Sequence, residues 1–425
     1  MKVKILFVAA LLLGAFSSCA AKNDRVILGD ERFDQYLPLL EGKRVAILSN
    51  QTGIVGDVSK GAKVPAGKTV TDQEALIPFG TPAVEGGNIE YGPHLLDVLI
   101  EKGVNVTAIF SPEHGFRGIA DAGEHVSSSV DEQTGVPILS LYGGGSNYPS
   151  EESMGKFDVL VFDIQDVGLR YYTYYITMKK LMDACAEYGK RFIVLDRPNP
   201  NGFYVDGPNL DMQYKSGVGA LPICMNHGMT LGELALMING EGWLKDGRKV
   251  DLTVVPCLNY THQTKYTLLL APSPNIKDMK AVYLYSSTCF FEGTVASLGR
   301  GTSFPFEAYG HPAMTGCDFK FTPRSVPGAK NPPLLDQECN GVDLRGKKLE
   351  EIWKEQVNMD YIVDAYNKAN MGDSLFTRFF EKLIGQGYVR EMIEAGATGA
   401  EIKARWADDI SEFKKARKPY LLYAE

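Results

Sequence analysis

Four strand-like runs in the first half of this chain each lead into a loop whose side chains could do chemistry. Ala46-Ile47-Leu48 is followed by Ser49-Asn50-Gln51-Thr52-Gly53. The run that ends at Ser111 continues into Pro112-Glu113-His114-Gly115-Phe116-Arg117-Gly118. A third leads into Asp163-Ile164-Gln165-Asp166-Val167-Gly168, then Arg170 and Tyr171-Tyr172-Thr173-Tyr174-Tyr175. The fourth ends in Asp196-Arg197-Pro198-Asn199-Pro200. Ligands of an open α/β sheet bind beyond the carboxyl ends of its strands. Carboxylates, amides, arginines and aromatic rings at one such edge are what a carbohydrate site requires. Rings stack on sugar C–H faces, amides and guanidinium groups bond hydroxyls and carboxylates, and a carboxylic acid of raised pKa protonates a glycosidic oxygen.

Each of these residues also has a purely structural reading. Glu113 could cap its loop or pair with Arg117, a role as well supported by sequence as catalysis. His114 reads first as a satisfied loop histidine. Asp163 and Asp166 could hold turns through Asx bonds. Half of Tyr171–Tyr175 should face the core, Arg197 could pair with Asp196, and Glu124 with His125 could form a surface turn. Rival chemistries lack their signatures: there is no GxSxG, P-loop, HExxH, or GxGxxG after the first strand. Gly143-Gly144-Gly145-Ser146 reads as a mobile loop rather than a phosphate cradle. Asp121, Glu124, His114 and His125 match no metal-ligand spacing. No metal and no cofactor is therefore expected.

The elements that must position these loops follow from hydrophobic period. Arg44–Ser49, Val104–Ser111, Pro137–Tyr142, Phe157–Asp163, Arg191–Leu195 and Asp251–Val255 read as strands, the fourth apolar on both faces like a buried parallel strand. Pro93–Lys102 and Ile176–Tyr188 read as helices between them. Thr230 and Glu233 form a capping box that opens a helix running to about Trp243. Strands alternating with helices predict a mostly parallel α/β sheet domain over residues 22–256. From Ala271 to Pro333 the chain is rich in Pro and Gly, then becomes helical, with a single helix over Thr398–Ala416 opened by Thr398 and Glu401. Residues 257–425 thus read as a smaller α+β domain.

The 425 residues have ordinary globular composition, with a net charge of -8 and no basic block. That argues against nucleic acid as a partner. Lys2 and Lys4, the apolar run Ile5–Leu13 and Phe16-Ser17-Ser18-Cys19 read as a signal peptide over residues 1–18. Its end resembles a bacterial lipobox, with Phe16 where Leu is commoner. Cys19 would then carry the lipid, and that anchor would be the chain's one attachment to a membrane. Export to an oxidising compartment permits disulfides among Cys185, Cys224, Cys257, Cys289, Cys317 and Cys339. Cys185 reads as a buried thiol on a helix, and Cys317–Cys339 as the most plausible bridge.

At these same loops the chain resembles the NamZ family, also known as DUF1343. The segments that carry the resemblance are Ser49–Gly53, Phe110–Gly118, Phe162–Gly168, Tyr172–Tyr174, Leu195–Pro200, His227–Leu234, Pro272–Ile276, Gly299–Thr302, Pro305–Glu307 and Arg417–Tyr423. Thr294–Leu298, Ala271 and the long segment Ser59–Val84 depart from the family pattern. The resemblance implies a cleft between a Rossmann-like domain and a smaller one. It also implies release of N-acetylmuramic acid from the non-reducing end of peptidoglycan glycans, with Glu113 as the catalytic glutamate. On that reading Glu113 is the general acid beside His114, and Asp163, Asp166 or Glu124 supplies the second group. Arg170, Arg197 or Arg300 binds the lactyl carboxylate, and Tyr172 and Tyr174 stack on or bond the sugar ring. Asn50, Gln51, Arg117, Gln165, Asn199, His227 and Asn275 complete the substrate-binding set. The rival readings are a lipid-anchored glycan-binding protein without catalysis and a metal-dependent hydrolase or deacetylase.

Overall fold

The structure, a computed structural model, describes residues 25–56, 63–64, 68–69, 93–112, 116, 129–141, 148–268 and 270–425. At its centre β1 (Val45–Ser49) lies between the next two long strands of the sheet. A two-residue ladder, β2 (Lys63–Val64) with β3 (Lys68–Thr69), stands apart. Parallel to β1 on one side run β4 (Val106–Ser111) and then β6 (Pro137–Ser140), and β5 (Ser129–Val130) closes that edge antiparallel. On the other side come β7 (Val159–Asp163), β8 (Arg191–Leu195) and β11 (Asp251–Val255), all parallel. The chain therefore winds outward through β4 and β6, returns, and winds outward again from β7. The reversal falls between β1 and β7, and it opens a crevice beyond their carboxyl ends.

β1 and β7 are buried along their whole length, as expected of strands covered on both faces. Val45 and Ile47 point to the face covered by α1 (Phe33–Leu40) and α2 (Leu95–Glu101). Ala46 and Leu48 point to the opposite face, where α4 (Tyr174–Glu187) and α5 (Leu231–Gly240) pack. The short α3 (Glu151–Met154) precedes β7. The capping box of α5 forms as expected: Thr230 Oγ1 accepts from Glu233 N, and the Glu233 carboxylate accepts from Thr230 N.

Two short strands, β9 (Asp206–Asn209) and β10 (Cys224–Asn226), form an antiparallel pair. After α6 (Met279–Thr288), three antiparallel strands follow: β12 (Ala308–His311), β13 (Phe319–Phe321) and β14 (Cys339–Asp343), with β14 in the middle. The rest is helical: α7 (Leu349–Glu355), α8 (Asp360–Ala369), α9 (Phe380–Ile384), α10 (Tyr388–Glu394), α11 (Gly399–Arg405) and α12 (Ala407–Arg417). This is the expected α/β sheet with a smaller mixed part after it. One apolar core runs without a break from the α4/α5 face of the sheet to these helices.

Two expectations are corrected. The tail is two helices, not one, because the chain turns at Trp406, whose fully buried indole donates to Asp206 Oδ1 at 3.0 Å. Cys317 and Cys339 do not bridge; all six described cysteines are free thiols. The sheet register sets Cys339 opposite Phe321, four residues further along than Cys317. Strand residues advance about 3.3 Å each, so the two lie beyond the roughly 7 Å that a disulfide spans.

Candidate active site

Three loops meet at the crevice. After β1, Asn50 Oδ1 accepts from Thr52 N at 2.9 Å and from Thr52 Oγ1 at 2.6 Å, which turns the chain sharply. Thr52 Oγ1 in turn accepts from Gln165 N at 2.9 Å, tying this loop to the one after β7. His94 caps α2 by accepting from Leu96 N at Nδ1. Its Nε2 therefore carries the proton and donates to Asn50 O at 2.8 Å. In the β7 loop, Asp166 Oδ1 accepts from Gly168 N at 2.6 Å. Gly168 is left-handed there (φ 78°), and a Cβ would lie 2.2 Å from the Asn199 amide, so only glycine fits.

Beneath the crevice lies a buried ion triad. Arg197 Nε and Nη2 donate to Asp163 Oδ1 and Oδ2 at 2.5 and 2.9 Å, and Nη2 also reaches Asp30 Oδ2 at 2.7 Å and Ile54 O at 3.2 Å. Burial raises the Asp30 carboxyl to about 7, against the opposing pull of Arg197. The Asp196 partner expected for Arg197 is engaged elsewhere. Its oxygens accept from Arg197 N, Thr230 Oγ1, Gly232 N and the Tyr423 hydroxyl. Above the triad is a small hollow with a volume of about 10 Å³, lined by Thr52, Ile54, Gln165, Arg197, Tyr266 and Leu270. Glu113, His114, Arg117 and Glu124 lie outside the described residues, as does Cys19. The flanking chain is placed, however. Ser111 and Pro112 are buried at the tip of β4, and Phe116 is buried edge-on against His94 with centroids 4.8 Å apart.

Residues 85–280 match the family described as exo-β-N-acetylmuramidase NamZ, N-terminal, and residues 283–423 match its C-terminal counterpart. The peptidoglycan β-N-acetylmuramidase NamZ of Bacillus subtilis strain 168 is 35% identical, over 95% of this chain and 92% of its own. The chain belongs to the NamZ family. A DUF1343 family protein from Bacteroides fragilis, solved by crystallography, superposes with a TM-score of 0.82 at 56% identity, covering 94% of this chain and 99% of that one. A second B. fragilis DUF1343 structure gives 0.71 at 27% identity over the same shares.

Within this NamZ fold the expected site residues divide. Gln165 and Arg197 line the hollow, whereas Asn50 is fully buried, its Nδ2 on the Tyr174 hydroxyl and its Oδ1 on Thr52; Asp166 lies beside Gln165 with Oδ2 buried and unbonded among the described residues. Burial pushes that carboxyl up to about 7. The Gln51 amide is also buried, with neither end bonded among the described residues. Others are taken up by the fold. Asp163 is fully buried with both oxygens on Arg197, which removes it as a nucleophile or water-positioning base. Arg170 is not a carboxylate fork: wholly buried, it donates to the carbonyls of Pro208, Ile223, Leu383 and Ile384. Arg300 is paired with Glu292 at 2.6 Å. Tyr172 and Tyr174 pack edge to face at 5.1 Å, with the Tyr172 hydroxyl on Pro272 O, so they brace the loop instead of offering a stacking face. Asn199 donates to Met229 O and Asn275 to Gly328 O, both internal contacts. Burial holds the His227 imidazole neutral, its pKa down to about 3, and its Nδ1 accepts from Met229 N.

Sequence reasoning assigned no role to Asp30, Thr52, Ile54, Tyr266 or Leu270. Thr52 carried a signal, since it follows Asn50-Gln51 in a strand-tip loop. Asp30 carried none, because it sits in a three-residue helical turn (Gly29–Glu31) far from Arg197 in the chain.

Proposed function

We propose that this chain is an exo-acting glycoside hydrolase that releases N-acetylmuramic acid from the non-reducing end of peptidoglycan glycans, with Glu113 as its general acid. Family membership supports the reaction class, and the B. subtilis relative is named for peptidoglycan β-N-acetylmuramidase activity. The observation that carries the reading is the convergence of Thr52, Gln165 and Arg197 at the β1/β7 crevice, next to β4, after which the sequence continues into Glu113. A carboxylic acid there would protonate the glycosidic oxygen as the sugar bond breaks.

Asp166 is the second group. Its carboxyl is buried next to a hollow-lining residue, it keeps an oxygen unbonded among the described residues, and its pKa near 7 suits proton transfer in either direction. Glu124 remains the alternative. The lactyl carboxylate is assigned to Arg117, four residues past Glu113, because Arg170 is spent on backbone carbonyls, Arg197 is paired with Asp163 and Asp30, and Arg300 is paired with Glu292. The lipobox-like Phe16–Cys19 supports a place in the cell envelope, on a lipid anchor at Cys19.

The test is a chromogenic β-glycoside of N-acetylmuramic acid beside the matching N-acetylglucosamine glycoside. Wild-type protein should cleave the first alone. Glu113→Gln should fold normally and lose about two to four orders of magnitude in kcat. Full activity in a folded Glu113→Gln protein would end the assignment, and sugar retention without turnover would favour a binding protein.

A further inference from the structure

The last residues of the chain meet the loop that leaves β8. Tyr423 is buried, and its hydroxyl donates to Asp196 Oδ2 at 2.6 Å while accepting from Cys257 N at 2.9 Å. Asp196 Oδ1 accepts from Arg197 N at 3.1 Å, so one carboxylate separates that hydroxyl from the Arg197 backbone. A second route runs through the rings. Tyr423 packs edge to face on Tyr260, with centroids 4.8 Å apart. The Tyr260 hydroxyl accepts from Asn199 N at 3.2 Å and donates to Asn199 O at 3.1 Å. The tail itself is pinned on both sides of Tyr423. Leu422 N and Tyr423 N donate to Glu233 Oε1 at 2.8 and 3.3 Å, and Ala424 O accepts from His262 N at 2.9 Å.

The loop held in this way supports three residues of the crevice. Arg197 is one of its own residues. Pro198 O accepts from Gln165 Nε2 at 2.7 Å. The Asn199 amide sits where a Gly168 side chain would be, and Gly168 N bonds Asp166 Oδ1. A shift of residues 196–199 therefore carries Arg197, Gln165 and Asp166 with it. Charge points the same way. Burial raises the Asp196 carboxyl to about 6, and the Tyr423 hydroxyl is the largest pull in the opposite direction. Without that donor the carboxyl takes a proton more readily, and Arg197 N loses a charged acceptor. Misplacing reacting groups by about 1 Å can cost about a hundredfold in rate, so a contact that never touches substrate can still set kcat.

We propose that Tyr423 is a positioning residue: through Asp196 and through Tyr260 it fixes the Asp196–Asn199 loop, and with it Arg197, Gln165 and Asp166, in the geometry that the reaction needs. The inference rests on the muramidase reading above, and it deepens that reading by naming a remote residue on which turnover depends.

The experiment compares wild-type protein with Tyr423→Phe, Tyr260→Phe and Trp406→Phe. Tyr423→Phe deletes one hydroxyl and keeps the ring on Tyr260. Tyr260→Phe cuts the other route, so it remains informative if Tyr423→Phe folds poorly. Trp406→Phe loses the buried bond to Asp206, outside this loop, and is the control for stability alone. On a chromogenic N-acetylmuramic acid glycoside, well below each melting temperature, both tyrosine variants should lose roughly tenfold or more in kcat with KM within about twofold, while Trp406→Phe keeps its kcat. Hydrogen exchange read by mass spectrometry in peptides spanning residues 196–201 should quicken by about tenfold or more in the tyrosine variants and stay at the wild-type rate in the control. Full kcat in both tyrosine variants, an equal kcat loss in Trp406→Phe, or unchanged exchange in the loop would each overturn the proposal. A wild type that fails to cleave the glycoside would overturn the muramidase reading instead, and the exchange rates would then decide the role of the tail.

Discussion

Asp163, the last residue of β7, and Asp166, three residues on in the following loop, have opposite fates. Asp163 is neutralised by the guanidinium it supports, whereas Asp166 is buried with backbone N–H groups as its favourable partners. Its carboxyl is thereby raised from the usual 3.8 to about 7. Between those two values the folded protein holds a proton that the unfolded chain has released. The stability this contributes is complete below about pH 4 and is lost as pH rises through 7. Asp166→Asn keeps an oxygen for Gly168 N and cannot ionise. It should flatten the decline in melting temperature between pH 4 and 7 and gain about 1–3 kcal/mol at pH 8. If Asp166 is the second catalytic group, the same variant should lose at least about a hundredfold in kcat. A stabilised variant with full activity would make the carboxyl merely structural. pH-resolved thermal melts beside kinetics distinguish the two outcomes.

Capping determines how the elements aim these residues. Thr230 opens α5, yet its hydroxyl also donates to Asp196 Oδ2 at 2.7 Å, so one residue both starts the helix and anchors it to the tip of β8. The C-terminal segment closes on the same cluster: the Tyr423 hydroxyl reaches Asp196 Oδ2, and Leu422 N and Tyr423 N donate to Glu233 Oε1. Thr230→Ala should therefore cost more than a surface cap. About 2 kcal/mol is expected, against about 1 for an ordinary cap, measured as the urea midpoint at unchanged m. A cost below about 0.5 kcal/mol would show that the Asp196 contact contributes nothing.

Arg170 acts at the scale of the whole molecule. It leaves the β7 loop and bonds carbonyls in the β9/β10 pair and at the end of α9, joining the sheet to the C-terminal helices through one buried guanidinium. Gly385, in a left-handed turn (φ 82°) after α9, has no room for a side chain: a Cβ would lie 2.4 Å from Arg170 Nη2. Arg170→Met leaves buried carbonyls without donors and should destabilise by about 3 kcal/mol or more. The KM of the fraction that still folds should barely change. A raised KM at full stability would instead return Arg170 to the substrate.

The layering was legible from local patterns in the chain. Strand runs such as Val159–Asp163 are apolar on both faces because they are covered on both, and capping boxes such as Thr230–Glu233 are local chemistry, so both could be read residue by residue. The same patterns determined that polar loops crowd one sheet edge, since strand direction follows from alternation with helices. Which of those polar residues face the crevice was set by long-range packing. Asp30 and Arg197 are 167 positions apart, and the Arg170 carbonyl contacts span up to 214. No local pattern reports such pairings. A guanidinium or carboxylate looks the same in sequence whether its partner is substrate or backbone. The outcome depends on which groups burial leaves without another partner, and that is a property of the packed molecule.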